Sequence, residues 1–165
     1  MGLGRLPSGR VRRRLADAFW ERHASPWSAG TRILASPVLV YALYRRNRRL
    51  LAATLAFLAV NPVLFPRPDR TDNWLSRGVL AEREWIGAGY RTVGPAYPDV
   101  LNLLSAPAWL LAFYAAIRRR PVATTLFTAT AMALKLYWID VIVRRTGVGG
   151  EAGPSSDEGV HVEIR

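Results

Sequence analysis

The chain has 165 residues, half of them hydrophobic, and 23 lysines and arginines against 12 acids give it a formal charge of +11. That length holds one compact unit, and the absence of cysteine excludes disulfide frameworks and thiolate chemistry. Such a charge can mark a nucleic-acid binder, but here the arginines cluster beside apolar runs (Arg45, Arg46, Arg48 and Arg49; Arg118, Arg119 and Arg120), which suits anionic lipid headgroups and excludes nucleic acid as the expected partner.

The N-terminal stretch is basic and lacks the continuous apolar core and small-residue cleavage site of a secretory signal, so it is expected to be retained. Val11, Leu15, Ala18 and Phe19 recur on one helical face, with Arg12, Arg13, Asp17 and Glu21 largely off it. This predicts an amphipathic helix over 9–24, capped by Ser8 and lying in the headgroup plane, with a solvated helix as the plainer alternative.

Four apolar runs follow, at 33–44, 50–65, 100–117 and 122–143. About 20 residues are needed to cross a bilayer as a helix. The last run meets that length and the third nearly does; the first reaches it only by extending past Arg32, which would have to snorkel. An internal repeat argues for treating the pairs alike. Shifted by 70 residues, positions 34–60 meet ten identities, among them Pro37 with Pro107, Tyr44 with Tyr114, Arg48-Arg49 with Arg118-Arg119 and Thr54 with Thr124. The fold class expected is therefore all-α, a multi-pass membrane bundle of two repeated helical hairpins, 31–65 and 99–145, within a single membrane domain over 1–146. Basic turns favour the cytoplasmic side. A three-span arrangement, with 33–44 in the interface, is the alternative that also keeps the basic N-terminus inside.

Between the hairpins, 66–98 is polar and nearly balanced in charge. Pro66 and Pro68 end the preceding helix. Asp72 or Thr71 could cap a short helix through Ile86, on which Leu75, Val79 and Ile86 form an apolar stripe beside Trp74 and Trp85. The stripe has no other place to be buried, so the interval is expected to dock on the bundle, with Glu82 meeting Lys135 or an arginine. From Gly147 onward the chain is small, polar and acidic, and reads as a disordered tail over 147–165.

Trp20-Glu21-Arg22-His23 with Pro26-Trp27-Ser28, Asn61-Pro62 with Phe65-Pro66, and Asn73-Trp74 with Arg77 and Glu82 together resemble a family of small prokaryotic integral membrane proteins of unknown function. The resemblance covers roughly 15–145 and implies a multi-pass architecture, with no substrate, cofactor or catalytic residue attached.

The chemistry-bearing residues are few. His23 is the one credible metal-type nitrogen, and zinc wants three or four ligands, so no metal and no cofactor is expected; a packing role beside Trp20 and Trp27 is the simpler reading. Asp69, Asp72, Glu82 and Glu84 could hold a hard cation against a lipid phosphate, yet pairing with neighbouring arginines explains them without catalysis. Ser76-Arg77 opens like a membrane phosphatase signature, but no histidine follows. Lys135 and Asp140 are ionisable residues in an apolar run, and Asn61-Pro62 interrupts another, so a polar pocket around Asn61, Lys135 and Asp140 is the sharpest site expectation. The candidate polar positions are thus His23, Asn61, Asp72, Asn73, Arg77, Glu82, Lys135 and Asp140. Three functions fit: a structural or partner- and lipid-interacting component of the cell membrane, working with anionic lipid and a second copy or another membrane protein; a small transporter or channel subunit using that pocket; and a lipid-modifying enzyme with its site in 66–98.

Overall fold

A computed structural model of the chain describes residues 14, 20, 22–68 and 70–148. Among these the fold is all-α, with five helices and no strand: α1 (Pro26–Tyr44), α2 (Arg48–Leu64), α3 (Trp74–Gly87), α4 (Asp99–Ile117) and α5 (Pro121–Thr146). The helix expected over 9–24 and the tail beyond Val148 lie almost wholly outside the described residues, as does Asp69. Only the end of the former is seen, where the Ala24 amide donates to the Trp20 carbonyl at 2.9 Å.

Local chemistry sets the helix ends. Pro26 and Pro121 open α1 and α5, at the first-turn position where a missing N–H costs nothing. Because α1 starts at Pro26, it runs 19 residues and carries Arg32 in its interior, so the first apolar run is part of a longer helix. Asn47 caps α2, its Oδ1 accepting from the Leu50 amide at 3.0 Å. The cap of α3 is Asn73, whose Oδ1 accepts from the Ser76 amide at 2.9 Å, and not Asp72 or Thr71, which stay exposed in the approach. Gly147, at φ 67, ends α5 in the left-handed region, with Arg144 and Arg145 placed well for the helix dipole.

Two helical hairpins result, α1–α2 and α4–α5, and their turns share one geometry. Arg46 (φ 52) and Arg119 (φ 54) both take the left-handed region. In each turn the next residue's amide reaches back five residues, Asn47 to the Ala42 carbonyl and Arg120 to the Ala115 carbonyl, both at 2.9 Å. Tyr41-Ala42 with Arg45-Arg46 therefore superposes on Tyr114-Ala115 with Arg118-Arg119, a shift of 73 residues where the identities suggest 70. The extra three residues come to about 300° of helix, so side chains matched at either shift stay on nearly the same face. Thr54 and Thr124 illustrate it: both are buried, and each hydroxyl donates to the carbonyl four residues earlier.

Helix α3 lies across α5 and the start of α1, while α2 touches α1 alone among the described helices. Large side chains are buried chiefly under α3, where Trp85 and Ala81 meet Trp138, Ile142 and Val143. Val79 packs with Ala24 and Ala29, and Leu75 joins them half-buried. The docking expected of 66–98 is thus present, each such side chain contributing about 1.5–3 kcal/mol. Ile86, expected on the stripe, is instead exposed at the helix end.

Elsewhere the pattern of burial is inverted. The buried residues of α4 are Ser105, Ala108, Ala112, Ala115 and Ala116, while Leu104, Leu110 and Leu111 point outward. In α2 only Thr54 and Asn61 are buried, and Leu55, Val60, Val63 and Leu64 are about half exposed or more. Helices α4 and α5 are long and apolar enough to cross a membrane; α1 and α2 do not meet the same measure.

Candidate functional site

The helices' arrangement gathers polar side chains at the end of the bundle that carries α3. A cleft of roughly 290 Å³ opens there between α1, α3 and α5, and His23, Arg32, Glu82 and Lys135 supply its charged and titratable lining. Its walls are apolar, from Leu75, Val79 and Ile139 among others. One contact sets the spacing of the walls: a Cβ at Gly78 would stand 2.7 Å from Ile139 Cγ2, so only glycine permits α3 to approach α5 this closely.

Within the cleft Lys135 Nζ lies 3.5 Å from Glu82 Oε1 and 4.2 Å from the centroid of the Trp138 ring. Glu82 and Lys135 come from different helices, and Trp138, three residues along α5 from Lys135, is fully buried below it. Arg32 donates to the His23 ring, Nη1 standing 2.7 Å from Nε2. Burial, and then the adjacent guanidinium, holds His23 down at about 4, so its imidazole is neutral at pH 7. Two cations, one carboxylate and a neutral imidazole leave the lining with one positive charge in excess. The one hydroxyl among the lining residues, Ser36, donates to the Arg32 carbonyl of its own helix at 3.0 Å. Among the described residues no group of three or more His, Asp or Glu could hold a metal ion.

The pocket expected around Asn61, Lys135 and Asp140 does not form. Asn61 is fully buried at the α1–α2 seam, where its Oδ1 accepts from Ser28 Oγ at 2.9 Å and its Nδ2 donates to Thr31 Oγ1 at 2.8 Å. Its amide is satisfied by α1, so it ties the first hairpin together. Asp140 faces away from Lys135, as a spacing of five residues on a helix requires. It accepts from Trp74 Nε1 at 3.3 Å and pairs with Arg144 one turn along α5. The interior charge thus holds α3 to α5, the plainer role for an aspartate near a helix end.

The other candidates divide similarly. Asn73 is the α3 cap, its Nδ2 also donating to Ser76 Oγ at 3.0 Å. Arg77 Nε donates to the Val148 carbonyl at 3.1 Å, which fixes the chain just beyond α5 where a disordered tail was expected to begin. Asp72 stays exposed. The structure therefore brings together His23, Glu82 and Lys135 and adds Arg32, which the sequence marked only as an obstacle to a longer helix. The rule that singles out Lys135, a charge inside an apolar run, applies equally to Arg32. Gly78 carried no signal, since its role depends on which helix crosses it.

The model of a protein family described as a family of unknown function, DUF6653, matches residues 11–152. No curated protein and no solved structure matches the chain.

Proposed function

The chain belongs to the DUF6653 family, and from that premise we propose that it is a multi-pass integral protein of the cell membrane, crossing four times, with a structural or partner- and lipid-binding role. The observation that carries this reading is α2, a helix of 17 residues that buries Thr54 and Asn61 and turns Leu55, Val60, Val63 and Leu64 outward. In water that arrangement discards the hydrophobic driving force; in lipid, where tails solvate leucine as well as protein does, helices associate through small residues and polar bonds. The alanine and serine seam of α4 and the Ser28–Asn61–Thr31 cluster follow the same logic. The two arginine turns then fall on one side and α3 on the other. Extraction of native membranes with alkaline carbonate should leave the protein in the pellet; release into the supernatant would overturn the reading.

One observation favours a second reading, a lipid-modifying enzyme using 66–98: Glu82 from that interval reaches the cleft with Arg32 and Lys135. Turnover of a phospholipid panel by the purified protein, abolished by Glu82→Gln, would carry it. No turnover by the intact protein leaves the binding role.

A further inference from the structure

A second cavity lies at the opposite end of the bundle, between the two hairpins. It is a groove of roughly 410 Å³ with Pro37, Val40 and Tyr44 of α1 on one wall and Pro121, Thr128 and Met132 of α5 on the other. Tyr44 directly precedes the first arginine turn and Pro121 directly follows the second, so the groove begins where the two turns stand side by side. From Pro121 to Met132, at about 1.5 Å per residue, it runs roughly 16 Å. That is about half the ~30 Å thickness of a bilayer's hydrocarbon core, the depth of one leaflet.

The mouth is strongly and singly charged. Arg45, Arg46, Arg48 and Arg49 of one turn and Arg118, Arg119 and Arg120 of the other are all exposed. No aspartate or glutamate occurs anywhere in 22–68 or 100–139, so the carboxylates on the hairpins' helices, Asp99 and Asp140, stand at the ends away from these turns. The α3 end is the reverse, with Glu82, Asp99 and Asp140 each in a polar contact.

We infer that this inter-hairpin groove is a binding site for one anionic phospholipid, its phosphate on the arginine turns and an acyl chain along Pro37, Val40 and Met132. The inference rests on the four-span reading above. Three features select this occupant: an apolar channel one leaflet deep, a mouth with positive charge and no neighbouring carboxylate on the described hairpin segments 22–68 and 100–139, and two buried threonines, Thr124 and Thr128, whose hydroxyls are turned to their own helix. A second copy of the chain presenting the same face would set arginine against arginine. Arginine is also suited to hold phosphate through paired donors.

The test is native mass spectrometry of the full chain in detergent, titrated with phosphatidylglycerol or with phosphatidylcholine of the same chains. One phosphatidylglycerol should remain bound at activation energies that strip phosphatidylcholine, and soluble glycerol phosphate should not displace it. Ala129→Trp, which fills the groove from its exposed rim and leaves every arginine in place, should weaken phosphatidylglycerol retention by about tenfold or more. Arg46→Gln with Arg119→Gln should reduce the preference for the anionic lipid while leaving the total lipid bound unchanged. Equal retention of the two lipids, displacement by glycerol phosphate, or undiminished retention in Ala129→Trp would each overturn the site. A protein that stays in carbonate-washed membranes and shows any of these keeps its membrane assignment; release by carbonate removes both.

Discussion

Glu82 on α3 and Lys135 on α5 meet at 3.5 Å across 53 residues of sequence, and this pair is an ionic link between the central interval and the bundle. Glu82 keeps a quarter of its side-chain surface exposed and Lys135 about a third. The pair therefore sits between a surface salt bridge and a buried one, and removing one partner leaves a partly desolvated charge. Glu82→Ala is expected to cost about 1–2 kcal/mol, whereas Glu84→Ala, at an exposed position, is expected to cost little. Thermal melts of the two variants in one detergent compare them directly, and equal midpoints would contradict the pairing.

His23 makes stability depend on pH. Its folded-state value of about 4 lies below the ordinary 6.5, so protonation favours the unfolded chain. The contribution from neutral His23 is fully present above pH 6.5 and is lost as pH falls from 6.5 toward 4. The intact protein should lose thermal stability between pH 7 and pH 5, before most carboxylates titrate. His23→Gln should flatten that slope; an unchanged slope would show that the imidazole is not shielded by Arg32 and its surroundings.

Gly78 tests the closeness of α3 and α5. Gly78→Ala forces a Cβ against Ile139 Cγ2, and overpacking of this kind costs about 1–3 kcal/mol. Ile139→Ala removes the opposing methyl, so the double variant should lose less than the sum of the singles. Strict additivity in a double-mutant cycle would place the two residues out of contact.

The shared turn geometry predicts shared topology. Single cysteines at Asn47 and at Arg119 should react with an impermeant thiol reagent from the same side of sealed cells or vesicles. The arginine content of both turns predicts that side to be cytoplasmic. Labelling of one from outside and the other only after lysis would break the pairing of the hairpins.

Much of this architecture is legible in the sequence because hydrophobic runs and turn residues are local signals. The four apolar runs correspond to α1, α2, α4 and α5, and Trp85 and Val79 do bury the central helix. The cap of α3 is Asn73 where the sequence offers Asp72 or Thr71, since all three are competent caps and only tertiary placement of the helix selects among them. The repeat is visible at a shift of 70 because facing residues are constrained, whereas the turns register at 73 because backbone hydrogen bonds, not side chains, define them. Of the site's grouping, the pairing of Glu82 with Lys135 is legible in the sequence, and the arrival of His23 and Arg32 beside it is not. Lys135, Glu82 and His23 announce themselves by being charged or titratable beside apolar stretches, but their meeting depends on α3 crossing α5 at Gly78. Asn61 reads as a pocket residue for the same reason and is a seam residue, its side-chain oxygen bonded to Ser28 and its nitrogen to Thr31.

Helices α4 and α5 satisfy the length and hydropathy of autonomous membrane spans, and α1 and α2 do not. In a four-span protein this sets the order of biogenesis against the order of synthesis. The first hairpin leaves the ribosome early, with Arg32 in α1 and a polar amide in α2, and is the weaker client for insertion. The second hairpin would emerge late, and its two helices are the ones long and apolar enough to cross a membrane. On that reading commitment of the whole chain to the bilayer waits on the second hairpin, residues 99–146, and a truncation ahead of α4 would leave only the two helices that fall short of a span.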